Sequence, residues 1–262
     1  IFGSAYKDVD YTRASFRNAI LQNSVFQRAI LQDANFSKSD LRWSRFKQAR
    51  LYNANLNGAK LEGVSFEYAF LSGADFTDAD ITNVNFYVTT SRGFTKEQLY
   101  STANYKNKDL SGIKFTSNSL DGWDFSYQNL TQVDFESTEI TNANFAATTS
   151  LGFTKEQFYK TSSYRYNHNL SGVDLSYNDL SGWDFSQQNL TNANFSDAEI
   201  TGVSFASSKG FTKEQLYSTA NYKRKDLKNL NFQYCDLSKG DFSSQSFEGS
   251  DLSGANFAES NF

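Results

Sequence analysis

Proline and methionine are absent from this 262-residue chain, and cysteine and histidine occur once each. A lone cysteine, Cys235, excludes an internal disulfide framework. With His168 as the only imidazole, a His/Cys metal site has too few ligands, and no Ser–His or Cys–His catalytic pair can be assembled. The glycines occur singly, so no phosphate-cradling loop is present. No apolar run approaches the 18 residues of a membrane-spanning helix, and no signal peptide is visible. Lacking methionine, the chain is expected to be a processed or excised part of a longer polypeptide. The hydrophobic fraction is 39%, below the 45–50% of ordinary globular domains.

What the chain does have is aromatic rings and a rhythm. Phenylalanine occurs 25 times and tyrosine 15 times. Each ring buries a large apolar area, which argues against a disordered polar chain. Charge is uneven. Residues 1–60 carry ten Lys/Arg against four Asp, a net of +6, whereas residues 61–262 carry fifteen Lys/Arg against twenty-five Asp/Glu, a net of −10.

The shortest internal period is five. From Ile1 to Phe86, every fifth residue is apolar for eighteen positions, through Tyr6, Tyr11, Phe16, Leu21, Phe26, Leu31 and Phe36. Two residues before each centre the side chain is small, as in Ala14, Ala19, Ser24, Ala29 and Ala34. Asn or Asp is common just before the centre, as at Asn35, Asp40, Asn55 and Asp75. A helix needs period 3.6 and a strand period 2. Period five suits a chain that turns a corner after each five residues and aims one large and one small side chain inward. Asn, Asp, Ser and Gly then supply the corners, by bonding nearby backbone or by tolerating positive φ.

These runs, among them Ala34-Asn35-Phe36, Ala54-Asn55-Leu56, Ala143-Asn144-Phe145 and Ala255-Asn256-Phe257, resemble the pentapeptide-repeat motif A-(D/N)-(L/F)-X-X. The resemblance implies an all-β chain: a right-handed quadrilateral β-helix with four five-residue faces per coil. The alternation of Phe and Leu from centre to centre agrees with four faces independently, because it puts Phe on two opposite faces and Leu on the other two. Coils stacked at strand spacing then carry columns of like side chains.

A second period overlies the first. Gly93-Phe94-Thr95-Lys96-Glu97-Gln98-Leu99-Tyr100 recurs at Gly152 and at Gly210, 59 and 58 residues further on. Each copy holds a Thr-Lys-Glu-Gln capping box, which predicts a short helix of about two turns from Thr95, Thr154 and Thr212, pinned to the coil by Phe94, Leu99, Tyr100 and their counterparts. The chain reads as one continuous solenoid over 1–262, with uninterrupted coils over 1–86 and helical inserts near 87–104, 146–163 and 206–221. The five-residue rhythm is expected to resume at Tyr105 and Tyr222. With one face per insert, forty-eight faces make twelve coils, about 58 Å at about 4.8 Å per coil. Trp123 and Trp183 fall on the inward small position, where the coil flares or the ring rotates toward the adjacent helix. Asn118, Gln128 and Gln188 are large and polar for the same site.

Nothing in the residues points to catalysis or to a cofactor. His168 reads as an exposed loop residue, Cys235 as a buried spacer, and the many Asp as turn caps. Lys7, Arg28, Arg45 and Lys47 share one face at twenty residues per coil and form a candidate interaction surface for an anionic partner. The pattern runs from Ile1-Phe2 to Phe262 without a cap, so truncation is the first expectation. Contact between chains through Phe242, Phe247, Phe257 and Phe262 comes second, and head-to-tail stacking third. The expected role is a non-enzymatic rigid rod or scaffold for protein–protein interaction, similar to helix-interrupted arrays in large bacterial proteins. The alternative is the acidic DNA-mimic rod of some family members, which protects a DNA topoisomerase. The basic first sixty residues count against it. Nucleic acid is not the expected partner, because the basic patch is short, acidic Glu67 follows at once and no stacking platform is evident.

Overall fold

The computed structural model describes residues 3–262. Ile1 and Phe2, where the five-residue pattern begins, lie outside the described residues. The chain divides into two compact units: Ile1–Leu120 with Gln128–Glu139, and Asp121–Tyr127 with Ile140–Phe262. In both, parallel bridges join residues twenty apart, as in Val25↔Arg45 and Asn35↔Asn55 in the first unit and Asn169↔Asn189 and Asp184↔Ser204 in the second. Twenty residues are four five-residue segments, so each unit is a four-sided parallel coil. A bridge residue turns both backbone groups toward the preceding coil. The Arg45 N–H donates to the Ser24 carbonyl at 2.9 Å, and the Arg45 carbonyl accepts from the Phe26 N–H at 2.8 Å.

The inward positions are those expected. Phe26, Leu31, Phe36, Leu41 and Phe46 are fully buried, as are Ala29, Ala34, Ala49 and Ala54. Phe26 stacks on Phe46 with centroids 4.8 Å apart and planes 8° apart, one coil above the other. Phe26 meets Phe36, on the opposite face, edge-on at 5.6 Å and 85°. The Phe–Leu alternation therefore builds two facing ring columns, each fully buried Phe contributing about 1.5–3 kcal/mol.

The two corner functions fall on different residues. Asn or Asp before the centre accepts the backbone N–H two residues on, as Asn35 Oδ1 does from Ser37 and Asp75 Oδ1 from Thr77, both at 2.9 Å. Positive φ belongs instead to the second residue after the centre, and side chains as large as Trp43 (62°), Tyr68 (55°) and Val88 (52°) adopt it. Such a conformation costs on the order of 1 kcal/mol outside glycine. The ladder holds it in place, since the Trp43 N–H donates to the Glu62 carbonyl at 2.9 Å.

Each insert contains two helices rather than one. They are α1 (Lys96–Ser101) and α2 (Ala103–Lys106), α3 (Lys155–Tyr159) and α4 (Ser162–Arg165), and α5 (Lys213–Ser218) and α6 (Ala220–Lys223). The capping boxes at Thr95, Thr154 and Thr212 form as predicted. The break comes at Thr102, Thr161 and Thr219, whose hydroxyls accept from the N–H of Tyr105, Tyr164 and Tyr222 and cap the second helix of each pair. Tyr105 and Tyr222 are therefore helical, and the five-residue rhythm resumes only at Leu110 and Leu227, a correction to the sequence reading. The Ala103-x-Tyr105 spacing imitates a repeat, but the Thr102 cap commits the segment to a helical turn.

Candidate interaction surface

Backbone groups on the coil next to a helix lose their strand partner, and the inserts replace it with side chains. In the first unit the ladder Asn35–Asn55–Asp75 stops at Asp75, and α1 lies above. Gln98 Nε2 donates to the carbonyls of Leu71 (2.8 Å) and Ala74 (2.7 Å), while its Oε1 accepts from the Thr95 N–H. Gln215 of α5 repeats this on Leu190 (2.8 Å) and Ala193 (2.7 Å). Above the helices, paired tyrosines stand in for the missing strand. Tyr159 and Tyr164 stack at 4.3 Å. The Tyr159 hydroxyl accepts from the Asp184 N–H, and the Tyr164 hydroxyl donates to the Asp184 carbonyl at 2.9 Å. Tyr217 and Tyr222 hold Asp241 in the same way. Burial pushes the Tyr159, Tyr164 and Tyr222 phenols up, so these three hydroxyls stay protonated.

The polar residues on inward positions have matching tasks. Asn118 accepts from the Thr89 and Thr90 N–H groups at the start of a 3-10 turn over Thr90–Arg92, and donates to the carbonyls of Phe86 and Phe115. Asn178 does the same for Thr148 and Thr149. Gln128 and Gln188 donate to the carbonyls of Tyr105 and Tyr164. Trp183 is buried and leans toward the helix, 5.2 Å from Phe158 and 6.1 Å from Phe153.

Lys7, Arg28, Arg45 and Lys47 lie on one face, and all four are exposed. Two of them are already paired. The Arg28 guanidinium donates to both carboxylate oxygens of Asp8 (2.5 and 2.7 Å), and Lys47 Nζ lies 3.2 Å from Glu67. The hydrogen bond from Arg28 holds the Asp8 carboxyl below its ordinary value, and the charges of Arg28 and Lys7 add to this against a smaller burial effect. Phe242, Phe247, Phe257 and Phe262 are brought together as one ring cluster, with Phe242 5.6, 5.3 and 5.6 Å from the other three centroids. Phe242 is buried and Phe262 exposed.

His168 is exposed on a loop with φ 46°, and its Nδ1 is 3.1 Å from Gln188 Nε2. Cys235 is buried, with its thiol against the Phe205 carbonyl at 3.1 Å. Burial pushes that thiol up to about 11. Among the described residues, no group of three or more His, Cys, Asp or Glu is placed to hold a metal ion. No helix among them is long and apolar enough to cross a membrane.

Five-residue faces, twenty-residue coils and paired inward columns define a pentapeptide-type parallel β-solenoid. Models of the pentapeptide repeat region match residues 1–76 and 19–95, and models of pentapeptide repeats in eight copies match 169–205 and 226–262. The chain belongs to the pentapeptide-repeat family. A search of curated proteins finds no match. Among solved structures it is similar to HetL, a pentapeptide repeat protein involved in heterocyst differentiation regulation from the cyanobacterium Nostoc sp. strain PCC 7120. That match has 18% identity, covers 99% of this chain and 87% of that one, and has a TM-score of 0.33. QnrB1, a plasmid-mediated fluoroquinolone resistance protein, matches with 15% identity, 68% and 82% coverage and a TM-score of 0.35. Rfr23 from the cyanobacterium Cyanothece 51142 matches with 17% identity, 53% and 89% coverage and a TM-score of 0.26.

Proposed function

We propose that the chain is a non-enzymatic scaffold whose outward side chains meet a protein partner. The observation that supports this most is the register. Bridges every twenty residues hold outward side chains in fixed columns, such as Val25–Arg45–Ser65, at about 4.8 Å per coil. A surface held so closely loses little entropy on binding. The proposal treats residues 1–262 as one continuous solenoid wound in the right-handed sense of its family. It takes the Lys7, Arg28, Arg45 and Lys47 face and the Phe242, Phe247, Phe257 and Phe262 cluster as its contacts, the latter for a second chain of the same kind.

The test begins with cross-linking capture on the immobilised full chain, followed by titration of each purified candidate. Saturable 1:1 binding to a defined protein is expected. Failure of every captured protein to rebind in purified form would overturn the reading. Supercoiling by a DNA topoisomerase should be unaffected by the chain, since the basic face is the opposite of a DNA mimic. Sedimentation velocity with Phe262→Ser addresses the second contact. Loss of a concentration-dependent dimer is expected, and equal behaviour of wild type and variant removes that contact from the proposal.

A further inference from the structure

Beside the predicted basic face, around one corner of the first unit, lies a concave site of about 390 Å³ lined by Asp8, Arg28, Ile30, Gln48, Arg50, Phe70 and Arg92, three guanidinium groups against one carboxylate. It sits between two outward columns. Arg28, Gln48 and Tyr68 belong to one, and the bridged residues Ile30, Arg50 and Phe70 to the other. The small buried residues Ala29, Ala49 and Ala69 separate them. Arg92 is set by the 3-10 turn over Thr90–Arg92. Its carbonyl accepts from the Leu71 N–H at 2.9 Å. Gly93 closes that turn at φ 92°, where a Cβ would lie 2.8 Å from the Ser72 backbone, so only glycine fits. The Arg92 guanidinium then rests on Phe70 at 4.5 Å and on Tyr68 at 5.5 Å.

Arg28 is engaged with Asp8. Among the described residues no carboxylate lies within ion-pair distance of Arg50 or Arg92. Two unpaired guanidinium groups, one of them pre-oriented on aromatic faces, thus flank the apolar side chain of Phe70. Arg50 and Arg92 stand two coils apart, about 9.6 Å at about 4.8 Å per coil. On a segment extended as a polyproline II helix, carboxylates three residues apart project from the same side and are separated by about 9.3 Å at about 3.1 Å per residue. Planar guanidinium groups pair with carboxylates through two parallel hydrogen bonds.

We infer that this corner groove binds an acidic, extended segment of a protein partner, with Arg50 and Arg92 taking its carboxylates and Phe70 and Ile30 taking the apolar residue between them. A nucleic-acid strand fits less well, because Arg92 occupies one face of Phe70 and of Tyr68 and so breaks the run of open rings on which successive bases would stack, while leaving the Phe70 edge to an apolar side chain. The inference rests on the scaffold reading and adds the chemistry of the partner.

The test is fluorescence anisotropy of the full chain with a labelled twelve-residue peptide in which glutamates flank leucines at three-residue spacing. A lysine-for-glutamate peptide and a single-stranded oligonucleotide of equal charge serve as comparators. The acidic peptide should bind most tightly. The double variant Arg50→Gln/Arg92→Gln should weaken it at least tenfold, and Arg92→Lys should weaken it severalfold, because an ammonium group stacks and forks less well. Arg13→Gln, on another corner, should leave it unchanged. Circular dichroism confirms that each variant is folded. Equal binding by the double variant, or tighter binding of the oligonucleotide, overturns the inference. If a purified natural partner binds wild type and double variant alike, the groove is wrong and the scaffold reading stands. If no protein binds at all, the scaffold reading itself fails.

Discussion

Exchanging Gln215 for glutamate separates local helix chemistry from the coil beneath it. In the helix alone the change is neutral, because glutamate serves a capping box as well as glutamine does. In the folded chain Gln215 also donates to the carbonyls of Leu190 at 2.8 Å and Ala193 at 2.7 Å. A carboxylate has no hydrogen to donate, so two partly buried carbonyls lose their partner and face a negative charge. At about 1–3 kcal/mol per unsatisfied group, discounted for the half-buried position, the loss is about 3 kcal/mol. Thr212→Ala, which removes only the cap, costs about 1 kcal/mol. The glutamate should titrate upward between two carbonyls. Its protonated form can donate once, so the defect should shrink on acidification and grow as pH rises. Hydrogen exchange at the Leu216 and Thr219 amides, with a thermal melt, reads both effects. If Gln215→Glu is no more destabilising than Thr212→Ala, the clamp does not hold the insert and the reasoning is refuted.

Three further outcomes are expected. Ala54→Arg places an unpaired charge at a fully buried position and should abolish soluble expression, so a wild-type melt from that variant would contradict the inward assignment. Cys235, buried and with its thiol raised to about 11, should react with a thiol reagent at pH 8 only after denaturation. Because its folded value lies above the unfolded one, its contribution to stability should be lost as pH rises from 9 through about 11. Hydrogen bonding to Arg42 holds the Asp40 carboxyl down to about 2, with a further bond from Gln22 and some opposing burial. This pair is worth about 1 kcal/mol after solvent screening. The difference between wild type and Asp40→Asn should be constant above pH 4 and vanish as pH falls toward 2, as measured by urea titration at each pH.

The repeat was legible because it obeys a rule of covalent spacing. A five-residue segment with a small and a large apolar residue two apart has one way to turn both inward, so the Phe and Leu columns followed from periodicity. The capping boxes were legible for the same reason, since Thr95 and Gln98 meet within a single turn. Tyr105 was misread because its spacing from Ala103 and Leu110 fits the repeat, while the cap that overrides it, Thr102, stands three residues before it. Asn118, Gln128 and Gln188 looked misplaced in a small apolar column until the turn and helix ends they serve were visible. The basic stretch was visible as composition, but its consequences were not. Asp8 and Glu67 reach Arg28 and Lys47 from one coil away, while Arg50 and Arg92, forty-two residues apart in sequence, come to one groove.

By itself the sequence determined the four-sided coil, its inward residues and the sites of its three interruptions, because these depend on contacts within five residues or between identical positions one coil apart. Only the tertiary structure decided which helix glutamine must donate as well as accept, which tyrosine hydroxyls replace a strand, and which arginines remain unpaired. Those outcomes depend on which coil lies above and below a given residue. The inserts add nine residues between Asn85 and Lys114 beyond a twenty-residue coil, ten between Asn144 and Asp174, and seven between Ser204 and Asn231. Vertical neighbours therefore cannot be counted off a fixed period, and they become known only once the chain has closed each coil.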